Sequence, residues 1–138
     1  MMGRILALDY GKKRVGIAVS DPLRIIASPM VTVSSKDILA WLEEYFATNH
    51  VDIVVIGMPL QMDGSPSDSQ RYIRPFMSRF RARFPAIDLC EADERFTSVL
   101  AHRAMIEGGV PRLKRQGKEI VDRTAASIIL QGFLETIK

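Results

Sequence analysis

Four acidic side chains fall where apolar runs of this sequence end or where a helix begins. Asp9 follows Ile5-Leu6-Ala7-Leu8, Asp93 and Glu94 follow a run ending at Ala92, and Asp122 lies in the last periodic segment. Carboxylate oxygens are hard ligands, suited to Mg²⁺ or Mn²⁺ rather than to softer metals. Two such ions about 4 Å apart can activate a water and stabilise the leaving oxygen of a phosphodiester. A carboxylate cluster does this without any Ser-His or Cys-His system.

Taken singly, each acid has a plainer explanation. Asp9 before Gly11 reads as a turn residue, and Asp93 and Glu94 read as helix-capping groups beside the helix dipole. Asp122 is more telling. At 100° per residue, Ala125, Ala126, Ile129 and Phe133 all fall within about 60° of it on the final helix. A bare carboxylate in that stripe costs several kcal/mol unless it is paired or bound to metal. A buried Arg partner or a place at the rim would also explain it.

The elements that must position these acids can be read from the pattern. Ile5–Leu8 is an unbroken apolar run, as expected of a strand covered on both faces. Val15–Val19 gives a second strand after a turn at Tyr10–Lys13, ended by Asp21-Pro22. A third strand is expected over Ile25–Val33, completing an antiparallel meander. A helix follows over Ser35–Thr48, capped by Ser34 or Ser35. Asp52–Gly57 is a fourth strand, and the Gly/Pro/Ser-rich stretch Gly57–Ser67 is a loop long enough to suggest a functional role. A second helix from Ser67 or Asp68 to Phe84 carries Pro75, which predicts a kink or interruption. A fifth strand over Ala86–Ala92 leads to Asp93-Glu94-Arg95. Helices over Thr97–Glu107 and Lys118–Ile137 flank a basic Gly/Pro segment. The order βββαβαβαα indicates one mixed α/β domain over residues 1–138, without internal repeats.

The remaining groups suggest no rival chemistry. Cys90 has no partner for an internal disulfide, and no Cys/His spacing suggests zinc. His50 and His102 lack metal-ligand spacing, and Trp41 and the methionines suit core packing. The first residues reach a charge too soon for a signal peptide, and no apolar run nears the roughly 20 residues of a membrane helix. A soluble cytoplasmic protein with no membrane partner is expected. The 19 Lys and Arg against 16 acids give a net charge of +3. Their distribution says more than their excess. Lys12-Lys13-Arg14 follows Asp9, and Arg112, Lys114, Arg115 and Lys118 precede Asp122, as phosphate contacts beside a nuclease centre would. Arg71, Arg74, Arg79, Arg81 and Arg83 on the second helix read first as a solvated face.

Four blocks of residues carry a resemblance: Leu8–Asp21, Gly57-Met58-Pro59, Asp93–Ser98 and Asp122–Leu130. In this order, and spanning the chain from end to end, they resemble the YqgF/RuvX family. That resemblance implies an RNase H-like α/β fold, a five-stranded mixed sheet with helices on both faces, related to Holliday junction resolvases. It implies a cytoplasmic nuclease maturing the 5′ end of pre-16S rRNA. Asp9, Glu94 and Asp122 match the family's catalytic, metal-holding acids, with Mg²⁺ or Mn²⁺ as cofactor. Asp93 stands beside them with no assigned role. Gly57, Pro59 and Gly64 match the family's loop near substrate, where Lys12, Lys13, Arg14, Arg95 and Arg115 are also expected to contribute. Many members of the wider superfamily carry an acid after the fourth strand. This chain has Gly57-Met58-Pro59 there, so the second ligand comes from the fifth strand or from Asp63 folding back. Ser98 replaces the family's usual Thr and keeps its hydroxyl.

The expected partner is RNA, as pre-16S rRNA in ribosome precursors, or branched DNA if the chain is a junction resolvase. A non-catalytic nucleic-acid-binding module is a third reading. A nucleotide-dependent switch, suggested by Asp9-Tyr10-Gly11, lacks the second domain such proteins need. The oligomeric state is left open by the sequence.

Overall fold

The computed structural model describes residues 3–58, 68–93 and 118–137. The expected helix at Thr97–Glu107, and site residues Pro59, Asp63, Gly64, Glu94, Arg95, Ser98 and Arg115, lie outside them. Five strands form one sheet in the order β3-β2-β1-β4-β5. They are β1 (Arg4–Tyr10), β2 (Arg14–Ser20), β3 (Ala27–Ser34), β4 (Val51–Met58) and β5 (Asp88–Asp93). β1 pairs antiparallel with β2, and β2 antiparallel with β3, which is the expected meander. β4 joins the other side of β1 in parallel, and β5 joins β4 in parallel. The sheet is mixed, and its parallel half ends in one carboxyl edge at Asp9, Met58 and Asp93.

β1 is central because its residues are apolar on both faces. Leu6, Leu8 and Tyr10 pack with α1 (Ile38–Thr48) and α2 (Gln70–Arg83) through Ile38, Leu42, Ile73, Phe76 and Phe80. Ile5 and Ala7 pack on the opposite face with α3 (Lys118–Thr136) through Ala126, Ile129, Leu130 and Leu134. Alternation along a strand makes these two sets distinct. Helices therefore cover both faces.

Four local expectations are corrected by the structure. β3 begins at Ala27 rather than Ile25, because the Ile25 and Ile26 N–H groups donate to Asp21 Oδ1 at 2.7 and 2.8 Å instead of to a ladder. α1 begins at Ile38 with Asp37 as its cap, not at Ser35. Ser35 is used by the meander: its N–H reaches the Lys13 carbonyl and its hydroxyl the Lys12 carbonyl. β5 runs Asp88–Asp93, two residues later than expected at its start. Pro75 does not interrupt α2, which is helical from Gln70 to Arg83. An interior Pro costs about 3 kcal/mol, but Ile73, Phe76 and Phe80 are fully buried, and each contributes roughly 1.5–3 kcal/mol of burial. Pro75 itself faces solvent.

The N-terminal edge is tied by Asp52. Its Oδ2 accepts from the Gly3 N–H at 2.7 Å and from Arg24 Nη2 at 2.9 Å, and its Oδ1 contacts His50 Nε2 at 2.8 Å. The Gly3 amide, more than any other neighbour, holds the Asp52 carboxyl below its ordinary value of 3.8, with His50 and Arg24 adding to it.

Two measurements check this account. Phe76 is fully buried and stacked on Tyr10 at 4.5 Å between centroids, so Phe76→Ala is expected to lower unfolding free energy by about 3–5 kcal/mol in a urea titration. The Asp52 contribution is present above the unfolded carboxyl pKa and is lost as pH falls through the depressed folded one. Stability of the parent should therefore fall more steeply than that of Asp52→Asn as pH is lowered through that acidic window. Parallel curves would remove Asp52 from this role.

Candidate active site

Asp9 is the next-to-last residue of β1 and shares the α3 face with Ile5 and Ala7. Its direct cross-strand partner on β2 is Gly16. A Cβ built on Gly16 would overlap the carbonyl of Asp122 and stand 2.7 Å from the Arg123 nitrogen. The absent side chain thus lets the backbone of α3 rest on β2 at Asp122-Arg123. Cross-strand neighbours on one face have Cβ positions about 5 Å apart, so the Asp122 backbone is seated over the strand position next to Asp9, although the two acids come from opposite ends of the chain. Glycine is suited to such close backbone approach.

On the other side of Asp9 the neighbouring strand also offers a glycine. β1 and β4 are in parallel register with Leu8 beside Ile56, so one step further brings Gly57 level with Asp9. Gly57 is in turn paired with Ala92 of β5. Along the carboxyl edge, the α3 face therefore reads Gly16, Asp9, Gly57, Ala92. Among the described residues, the strand positions on either side of Asp9 are therefore small. Gly57, expected from the family pattern to lie near substrate, is placed directly beside Asp9. It carries no carboxylate, so β4 adds no ligand at this level.

Asp122 is half-buried, and its Oδ2 accepts a hydrogen bond from Arg14 Nε at 2.9 Å. Arg14 opens β2, and its carbonyl accepts the Gly11 N–H at 2.8 Å, closing the turn that carries Lys12 and Lys13. With the Lys12 and Lys13 carbonyls held by Ser35, both ammonium groups are left in solvent a few residues from Asp9. Arg14 belongs to the basic cluster expected to meet substrate, and in this structure its side chain is engaged by Asp122. Asp93 ends β5 opposite Met58 at the same edge.

Among the described residues, no group of three or more acids, histidines and cysteines could hold a metal. Asp9 and Asp122 are the two expected ligands that the described residues include. Their donors are carboxylate oxygens with no thiolate or imidazole among them, which fits Mg²⁺ or Mn²⁺. The Arg14 guanidinium already places one cation against this cluster. Sequence reasoning gave no role to Gly16 and did not pair Arg14 with Asp122. A glycine inside an apolar strand is the signal for the first. Nothing local signals the second.

A family model described as "RuvX: Holliday junction resolvase" matches residues 3–136. The chain belongs to the RuvX family. Close relatives agree in length as well as sequence. A protein of Azobacteroides pseudotrichonymphae is 48% identical over 99% of this chain and 99% of its own. One from Parabacteroides distasonis is 46% identical over 99% of this chain and 98% of its own. One from Bacteroides thetaiotaomicron is 46% identical, covering 98% of each. All three carry the name "Putative pre-16S rRNA nuclease". Membership of the RuvX family agrees with the mixed five-stranded sheet and its covering helices, an RNase H-like α/β arrangement.

The contact of α3 with Gly16 is open to a direct test. Gly16→Ala should push α3 off β2 and destabilise the fold by about 1–3 kcal/mol, as overpacking does, measured by denaturant unfolding. An unchanged midpoint would mean that α3 does not rest there.

Proposed function

We propose that this RuvX-family chain is a metal-dependent nuclease of the cytoplasm, acting as a single domain in 5′-end maturation of pre-16S rRNA. The observation that supports this chemistry is the seating of the Asp122 backbone over Gly16, the strand partner of Asp9, at the carboxyl edge. The full-length relatives named for this substrate support the choice of RNA. No helix among the described residues is long and apolar enough to cross a membrane.

In this proposal Asp9, Glu94 and Asp122 are the catalytic, metal-holding acids. Glu94 is preferred to Asp93 because it is the acid that matches the family's pattern in the Asp93–Ser98 block. Bound by these oxygens, Mg²⁺ or Mn²⁺ supplies an activated water and stabilises the departing oxygen. The chain's own part is to fix the acids on a rigid sheet and helix, so that little reorganisation is needed at reaction. Lys12 and Lys13 are placed to attract the phosphate backbone, and Arg95 and Arg115 are proposed to extend that contact. Gly57, Pro59 and Gly64 are proposed to contact substrate, as the family pattern implies. Arg14 holds Asp122 when no substrate is bound and turns to phosphate when it is.

The family description favours one second reading, cleavage of four-way DNA junctions. A two-fold junction calls for a two-fold dimer. Both substrates should be offered to the parent and to Asp9→Asn with Mg²⁺. The expected result is cleavage of a 5′-extended 16S precursor, lowered by at least about 100-fold in Asp9→Asn, with the fold and RNA binding retained. Symmetric cutting of the junction with no cutting of the precursor would reverse the order of the two readings. Equal activity of parent and variant would end the catalytic assignment.

A further inference from the structure

The exposed face of α2 is more basic than a solvated helix needs. Five arginines and no acid lie within Gln70–Arg83. Two are answered locally: Arg83 pairs with Glu43 on α1, and Arg74 stands 3.7 Å from Glu91 on β5. Arg71, Arg79 and Arg81 are exposed and form no ion pair among the described residues, although Arg81 borders a groove that also holds Asp88. At 100° per residue, Arg71 sits at the middle of the exposed arc with Arg79 and Arg81 about 80° to either side.

The first turn of α2 lies at the same carboxyl edge as Asp9, on the opposite face of the sheet. Tyr72 lies 6.4 Å from Tyr10 between ring centroids, and Phe76 stacks on Tyr10. Tyr10 directly follows Asp9, so α2 starts at the carboxyl edge and runs away from it. From Arg71 to Arg83 it extends about 18 Å, the length of roughly five phosphates of one strand at 3.4 Å each. The aromatic residues of α2 all turn from this face: Phe76 and Phe80 are fully buried and Tyr72 packs against the core. No stacking platform for unpaired bases is offered.

We infer that the arginine face of α2 is a second nucleic-acid contact, gripping the phosphate backbone of a double-helical segment next to the cleavage position. Contact of this kind is independent of sequence and recognises a helix by shape and charge. The inference rests on the nuclease reading only for the identity of the polyanion. It adds that the substrate is helical beside the cut.

The test is binding of an RNA hairpin long enough to span both surfaces, followed by fluorescence anisotropy across a salt series. The triple variant Arg71→Gln/Arg79→Gln/Arg81→Gln is compared with the parent. Loss of three phosphate contacts, at 0.7–0.9 each, should flatten the slope of log K against log salt by about 2–3 and weaken binding roughly tenfold or more at 0.1 M salt. The Arg→Lys triple variant should keep most of the affinity, since a cation is retained. Lys36→Gln, a single charge removed from the β3–α1 connection, should change the slope by no more than about one. Circular dichroism confirms that each variant is folded. An unchanged slope in the Gln triple variant overturns the inference, as does an unpaired RNA of equal length that loses as much affinity as the hairpin. Asp9→Asn separates this outcome from failure of the nuclease reading: it is expected to keep the parental slope whether or not it cuts.

Discussion

The closeness of α3 to β2 at Gly16 is the constraint on which the site depends. A side chain there would meet the Asp122 carbonyl, so any other residue moves the helix outward. With the helix seated, Asp122 stands on the face that carries Asp9, next to its cross-strand partner. Two carboxylates are thereby held by a strand and a helix rather than by loops. Rigid elements of this kind hold catalytic groups more closely than loops do.

Bringing acids together carries an electrostatic cost, and the structure offsets it locally. Arg14 places a guanidinium against Asp122 Oδ2 from the strand next to Asp9. Both side chains are about a quarter to a third exposed, so the pair is partly screened and contributes little to stability on its own. Its value is positional, because it keeps the Asp122 carboxylate oriented toward the edge of the sheet. The turn of β1 and β2 does the rest: Gly11 and Ser35 hold its backbone while Lys12 and Lys13 reach solvent. The attraction for phosphate and the restraint on the acids come from one short hairpin.

The far side of Asp9 shows a different economy of space. Gly57 and Ala92 continue the row of small residues on the α3 face among the described strands. On the other face Tyr10, Met58 and Phe76 close the core tightly. The two faces of one strand end thus serve separate purposes. One is filled to hold α2 in place, and the other carries Asp9 between small strand residues.

Much of this could be read along the chain. The unbroken run Ile5–Leu8 declared a strand buried on both faces, the short turns gave the meander, and the apolar stripe around Asp122 was visible as periodicity. Strand and helix starts were less legible. Ile25 and Ile26 look like strand residues, but Asp21 takes their N–H groups, and Pro75 looks like a break that buried Phe76 and Phe80 override. By itself the sequence determined the element types, the acids able to bind a hard cation, and family membership through its blocks of residues. Only the tertiary structure decided that Asp122 is seated over Gly16, the strand partner of Asp9, and that Arg14 answers Asp122. Contacts between residues so far apart leave no local periodicity, because they depend on which strand lies beneath a helix and on how closely the two backbones pass.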